Sequence, residues 1–183
     1  HSGAGFVDGE IVGTDEHTVA VAGLRRTTRT EVPASVMDEM EDAVALMARA
    51  LRQGEWEQAM THRTLMEFLH QETAELDSVV EAVEEYSAKS KDNKAPQWLE
   101  QELCQELSDV LLQVLFHAEI ANRRGAFDIG HVSGAFVAKL RSRAPYLFEQ
   151  VERDVPRTEQ DRLWAEGKRK ERAATVSYTH LRA

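Results

Sequence analysis

Two short stretches, HQETAEL at 70–76 and CQELSDV at 104–110, each set two acids three residues apart among apolar neighbours. Glu72 and Glu75 form the first pair, Glu106 and Asp109 the second. On a helix, residues three apart share one side, about 4.5 Å apart along the axis. Each pair would therefore offer two carboxylates in one direction. Four carboxylates in one volume repel, and without a positive partner some must take up protons. A hard divalent cation relieves this, and an all-oxygen donor set suits Mg²⁺, with Mn²⁺ as a substitute. Mg²⁺ usually keeps waters and shares its remaining positions with substrate phosphates, so such a site has a natural anionic guest. Taken alone, a lone acidic pair at this spacing is more often a solvated helix face.

The elements that would carry these acids are helices. Leu65, Phe68, Leu69, Leu76, Val79, Val80 and Val83 recur at helical spacing and predict a helix from about His62 to Tyr86. The polar, lysine-rich SAKSKDNKAP then reads as a loop. A further helix is predicted from about Gln97 to Arg124, stopped by Gly125, with Leu103, Leu107, Val110, Leu111, Val114, Leu115 and Ala118 on its inner face. Folded as an antiparallel hairpin about the loop at 87–96, Glu75 falls opposite Glu106 and Glu72 opposite Asp109. With axes about 8–10 Å apart, all four carboxylates could then converge at one height. That match of heights favours a site over a solvated face.

Around the hairpin, SVMDEMEDAVALMARAL predicts a helix with Ser35 as its N-cap, an apolar stripe of Met37, Met40, Val44, Met47 and Leu51, and an end at Gly54. A helix from about His131 to Arg143 should end before Pro145. A last amphipathic piece is expected over Thr158 to Arg172. Residues 1–34 are richer in glycine and β-branched residues, and Ile11–Val12 and Val19–Val21 suggest a short β-hairpin around a TDEH turn. The expected organisation is an N-terminal extension at 1–34, a helical catalytic domain at 35–173 and a tail at 174–183 that reads as a cloning or sequencing remnant. The fold class is all-α: an antiparallel helical hairpin within a four- to five-helix bundle. A hairpin cannot cover both its faces alone, so a homodimer is expected, with a tetramer as the larger assembly.

Composition narrows the partners. The 183 residues carry a net charge of −10, which argues against nucleic acid or an anionic membrane surface as the main partner. No apolar run approaches the roughly 18 residues that would span a bilayer. Cys104 is the single cysteine, so an internal disulfide or a cysteine zinc site is excluded, and a reducing cytoplasm is the expected location. No signal peptide is visible, although the chain starts at His1 without a Met.

The ordered segments ETAE and ELSD on a helical hairpin resemble the MazG family of nucleoside triphosphate pyrophosphohydrolases. GEWEQAMTHRTL before the first pair, DVLLQVLFHAEIANRRGAFDI after the second, KLRSRAPYLF and RLWAEGKRKE extend the similarity, in order, over about residues 36–172. The resemblance implies an all-α dimer that hydrolyses a nucleoside triphosphate between the α and β phosphates, with Mg²⁺, to a monophosphate and pyrophosphate. It implies Glu72, Glu75, Glu106 and Asp109 as metal ligands. It further implies Lys139 and Arg143 as phosphate holders, Trp164 as a nucleotide contact and Lys168 as added positive charge. One residue departs from the pattern: Gln71 stands where the family usually has a glutamate, and an amide cannot act as a base. Trp56 and Thr61 read as structural, and His117 as a satisfied interior histidine.

Two rival readings are weaker. A carboxylate-bridged di-iron bundle uses Glu-x-x-His, and no histidine stands three residues after Glu72 or Glu106. A helical interaction module without catalysis would leave the matched acids without a purpose.

Overall fold

The computed structural model describes residues 5–7, 10–12 and 32–182. Beyond a short antiparallel pair, β1 (Gly5–Val7) with β2 (Glu10–Val12), the described elements are helical. They are α1 (Ala34–Gln53), α2 (Glu55–Ala59), α3 (His62–Lys89), α4 (Gln97–Arg123), α5 (Ile129–Arg143), a 3-10 turn (Pro145–Phe148) and α6 (Arg157–Arg182). Ile11–Val12 lies in β2, paired with residues 5–7; Val19–Val21 lies outside the described residues. The chain divides into two compact units, one of residues 37–129 and one of residues 1–36 with 130–183. No helix of the described residues is long and apolar enough to cross a membrane.

In the first unit, α3 and α4 pack together as the hairpin. A reciprocal cap starts α3: the Thr64 N–H donates to Thr61 Oγ1 at 3.1 Å, and the Thr61 N–H donates to Thr64 Oγ1 at 2.9 Å. Thr61 is therefore structural, as its position suggests. In the connecting loop, Asn93 takes a left-handed φ of 55°, a conformation asparagine tolerates better than most residues. Beside it, Asp92 Oδ1 accepts from Ser90 Oγ and from the Lys94 N–H. These bonds hold the Asp92 carboxyl below its ordinary range.

Aromatic contacts pin both ends of the hairpin. Tyr86 meets Trp98 edge-on at 5.6 Å near the loop. At the far end, His62 Nδ1 lies 2.8 Å from His117 Nδ1. Arg124, which can only donate, bonds His62 Nε2. A neutral His62 then carries its proton on Nδ1 and donates it to His117. Burial first, and the neighbouring His62 second, hold His117 below its ordinary pKa. His117 is thus a partnered interior histidine.

The core of this unit is Leu51, Leu65 and Phe116, flanked by Met47, Met60, Phe68 and Ile120. Trp56 on α2 meets Phe68 at 5.7 Å and Phe116 at 6.0 Å, both edge-on. The last turn of α1 is closed from outside, where Arg123 Nη1 donates to the Leu51 carbonyl at 3.1 Å.

Several boundaries differ from the sequence reading. Helix α1 starts two residues early, at Ala34, with the Val36 N–H bonded to the Pro33 carbonyl, so Ser35 lies inside the helix instead of capping it. The helix α2 is a single turn too short for a periodic signal. On α4, Leu115 and Ala118 are buried, but Leu107, Leu111 and Val114 are exposed, and the buried set includes Leu99, Phe116 and Ala121 instead. Helix α6 continues to Arg182, because AATVSYTHLR contains no glycine or proline to end it.

The end of α4 behaves as expected. Gly125 has φ +74°, and a methyl group added there would meet no atom within 4 Å. The Ala126 N–H closes the turn on the Ala121 carbonyl. Gly125→Ala should therefore cost about 1–2 kcal/mol through backbone strain alone, without steric clash. Chemical denaturation would show this as a lower midpoint with an unchanged slope.

In the second unit, α5 runs through Arg143 to the buried Ala144 and the 3-10 turn. Arg141 lies 4.7 Å above the Phe148 ring. Arg153 bonds both Glu149 and Glu159, tying the segment after the turn to the start of α6. At Gly167 on α6 a side chain would meet the Ser142 carbonyl at 2.6 Å and Arg143 Cγ at 2.8 Å, so glycine permits a close approach to the end of α5.

Candidate active site

The hairpin brings three of the predicted acids together. Carboxylate oxygens of Glu72 on α3 and of Glu106 and Asp109 on α4 all lie within 4.8 Å of one another. All three side chains are half-buried. Glu75, one turn along α3, is exposed and lies outside this group of three.

The electrostatics are those of an unneutralised acidic cluster. Glu72 is pushed above the ordinary carboxylate range by burial first, then by Asp109, Glu75 and Glu106. Glu106 is pushed up by burial, then by Glu75, Asp109 and Glu102. Glu102, exposed on the same helix, thus adds to the field. Glu72 Oε2 and Glu106 Oε2 are buried and have no hydrogen-bond partner. Buried polar atoms are normally paired, so two orphaned carboxylate oxygens facing one small volume fit a hard cation. The donor set contains only oxygen, as Mg²⁺ or Mn²⁺ prefers.

The predicted basic and aromatic residues lie in the second unit. Arg143 is held on two sides: its Nε donates to Glu171 Oε2 at 2.9 Å, and its guanidinium carbon lies 5.1 Å from the Trp164 ring centre. Arg143 and Lys168 line a cavity of about 570 Å³ with Glu171, Arg172, Thr175 and Val176. Lys139 sits one turn before Arg143 on α5, is exposed, and is not part of that lining. Glu171 and Arg172 were missed by the sequence reading, though their spacing from Trp164 and Lys168 along α6 is the helical i, i+3, i+4 pattern that could have found them.

Residues 60–148, which include the whole carboxylate hairpin, match the family model described as the MazG nucleotide pyrophosphohydrolase domain. Over these residues the chain is similar to a MazG domain. The nucleoside triphosphate pyrophosphohydrolase of Mycolicibacterium smegmatis is 38% identical over 139 residues, which cover 74% of this chain and 37% of that protein. The nucleoside triphosphate pyrophosphohydrolase/pyrophosphatase MazG of Thermotoga maritima is 38% identical over 110 residues, 59% of this chain and 37% of that protein. That of Mycobacterium tuberculosis is 37% identical over 110 residues, 59% of this chain and 29% of that protein. The chain thus spans about a third of the length of these relatives. The crystal structure of a mazG-related protein from Thermotoga maritima shares the fold, with a TM-score of 0.55 and 23% identity, over 70% of this chain and 98% of that one.

The clustered carboxylates make a pH prediction for the metal-free protein. Glu72 and Glu106 have folded pKa values raised above the unfolded value. Folding therefore binds protons there, and the stabilisation is fully present below the unfolded pKa and lost as pH rises through the folded pKa. With chelator present, the Glu72→Gln, Glu106→Gln double variant should lose most of this dependence above about pH 4.5, the unperturbed glutamate range. Melting curves of the two proteins across pH would converge at the acid end and separate, with wild type lower, towards neutral pH.

Proposed function

We propose that this chain hydrolyses nucleoside triphosphates between the α and β phosphates, giving the monophosphate and pyrophosphate, in the cytoplasm and with Mg²⁺. The observation that carries the reading is the convergence of Glu72, Glu106 and Asp109, with two unpaired buried oxygens, inside the stretch similar to a MazG domain. These three residues would hold the ion, with Glu75 as the fourth ligand, and Mn²⁺ could substitute. When bound, the ion supplies the charge that offsets both the carboxylates and the triphosphate, and it lowers the pKa of water. Glu75, the most exposed of the four and not fully committed to the ion, accepts the proton of the attacking water at its free carboxylate oxygen. Lys139, Arg143 and Lys168 receive the phosphates and stabilise the departing pyrophosphate, and Trp164 contacts the nucleotide. The catalytic domain is taken as 35–173, and the work it does as upkeep of the nucleotide pool.

A second copy of the chain completes the domain in this proposal. Leu46 on α1 is 63% exposed, and Leu107 and Leu112 on α4 are 51% and 45% exposed. Leu46 and Leu112 line one apolar cleft with Met47, Leu111 and Leu115, and an exposed apolar surface of this kind marks an interaction face. Light scattering should return the mass of a dimer, or of a tetramer built from it.

The reaction is tested by pyrophosphate release from standard and oxidised NTPs and dNTPs, with Mg²⁺ and with chelator. Release that requires the ion supports the reading and defines the base preference. A folded, metal-binding chain with no turnover on any nucleotide would sink it, and would direct attention to Gln71.

A further inference from the structure

The cavity at the junction of α5 and α6 is net positive in an acidic chain. The whole sequence carries a net charge of −10, yet Arg143, Lys168 and Arg172 meet there with one acid, Glu171. That acid does not simply dilute the positive charge. It takes the Nε–H of Arg143 at 2.9 Å, while the Trp164 ring lies against the guanidinium and Gly167 lets the α6 backbone approach the base of the same side chain. A free arginine samples many rotamers, and three contacts from one helix face remove most of them. The remaining N–H donors, on the two terminal nitrogens, have no partner among the described residues. An arginine fixed through Nε with its terminal nitrogens open is arranged for two-point recognition of a phosphate.

We propose that Glu171 is a positioning residue that aims Arg143 at a polyphosphate in this cavity, with Arg172 as a further cation of the same subsite. The inference rests on the phosphate role proposed for Arg143 and Lys168. It differs from a simple charge picture in sign. If Glu171 were only a counter-charge, its removal would make the cavity more positive and anions would bind more tightly. If it positions Arg143, its removal weakens binding despite the extra positive charge.

The test is calorimetric titration of the full chain with inorganic pyrophosphate, without metal or nucleotide. Glu171→Ala should weaken binding about tenfold, the scale of one charge-assisted hydrogen bond. Glu171→Gln, whose amide oxygen can still accept from Nε, should weaken it by only about threefold. Arg172→Ala should also weaken it. The Arg143→Ala, Glu171→Ala double variant should bind no worse than Arg143→Ala alone, because the two act as one unit. Melting curves establish that each variant is folded, and Glu171→Gln carries the test if the alanine variant is not. Unchanged or tighter binding by the Glu171 variants, or costs that add in the double variant, would overturn the positioning role. Failure of wild type to bind pyrophosphate would overturn the subsite, whatever nucleotide turnover shows. Coupled pyrophosphate binding without any turnover would leave the subsite standing and remove the hydrolase reading.

Discussion

Glu106→Gln should remove pyrophosphate release and at the same time raise the melting temperature of the metal-free protein. The two effects have one cause. Glu106 is half-buried, one of its oxygens has no partner, and Glu75, Asp109 and Glu102 all raise its pKa after burial itself. The folded chain holds this carboxylate at neutral pH only against desolvation and repulsion. Glutamine has nearly the same shape, carries no charge, and offers N–H donors to the neighbouring carboxylates. It therefore relieves the folded state while removing one negative ligand from the proposed cation site. Turnover should fall by about a hundredfold or more, the usual scale for losing one group that stabilises charge in the reaction. Added Mg²⁺ should raise the melting temperature of wild type more than that of the variant, since a ligand bound only by the folded state adds stability. A variant that is less stable than wild type in chelator would contradict the electrostatic description. Stability gained together with activity lost is the signature of a strained functional site.

Phe116→Ala should have the largest effect on stability. Phe116 is 2% exposed, packs with Leu51 and Leu65, and meets Trp56 edge-on. It joins α1, α2, α3 and α4 at one point, so the void cannot close by moving a single element. The expected cost is about 3–5 kcal/mol, or roughly 10 °C in melting temperature for a chain of this size. Turnover per folded molecule should change far less, because Phe116 lies two turns along α4 from Asp109 and is not among the residues that shift the carboxylates. Calorimetry beside initial rates at low temperature separates the two quantities. A stable variant with lost turnover would mean that the core and the site are one unit.

The convergence of the acids was legible in the sequence for a definite physical reason. Two helical stripes and a short polar loop fix which residues face each other in a hairpin, and Glu72 and Asp109 meet as that register requires, with Glu106 in the same group in place of its expected pairing with Glu75. Glu75 is exposed and lies outside the group of three, because register fixes a residue's height along the hairpin and not how far its side chain turns inward. The inner face of α4 was less legible. That helix is apolar on more than one side, and periodicity does not say which side its own chain covers, so Leu107, Leu111 and Val114 read as interior yet are exposed. The contacts around Arg143 depend on side chains of two helices meeting across Gly167, and neither helix contains the partner in its own periodicity.

The most direct measurement is the ³¹P NMR spectrum of a nucleoside triphosphate incubated with wild-type chain and Mg²⁺. Resonances of monophosphate and pyrophosphate, growing in equal amounts and absent with chelator, are the predicted result. Diphosphate and inorganic phosphate, or an unchanged triphosphate over a folded, metal-bound protein, would contradict cleavage between the α and β phosphates at the Glu72, Glu106 and Asp109 site.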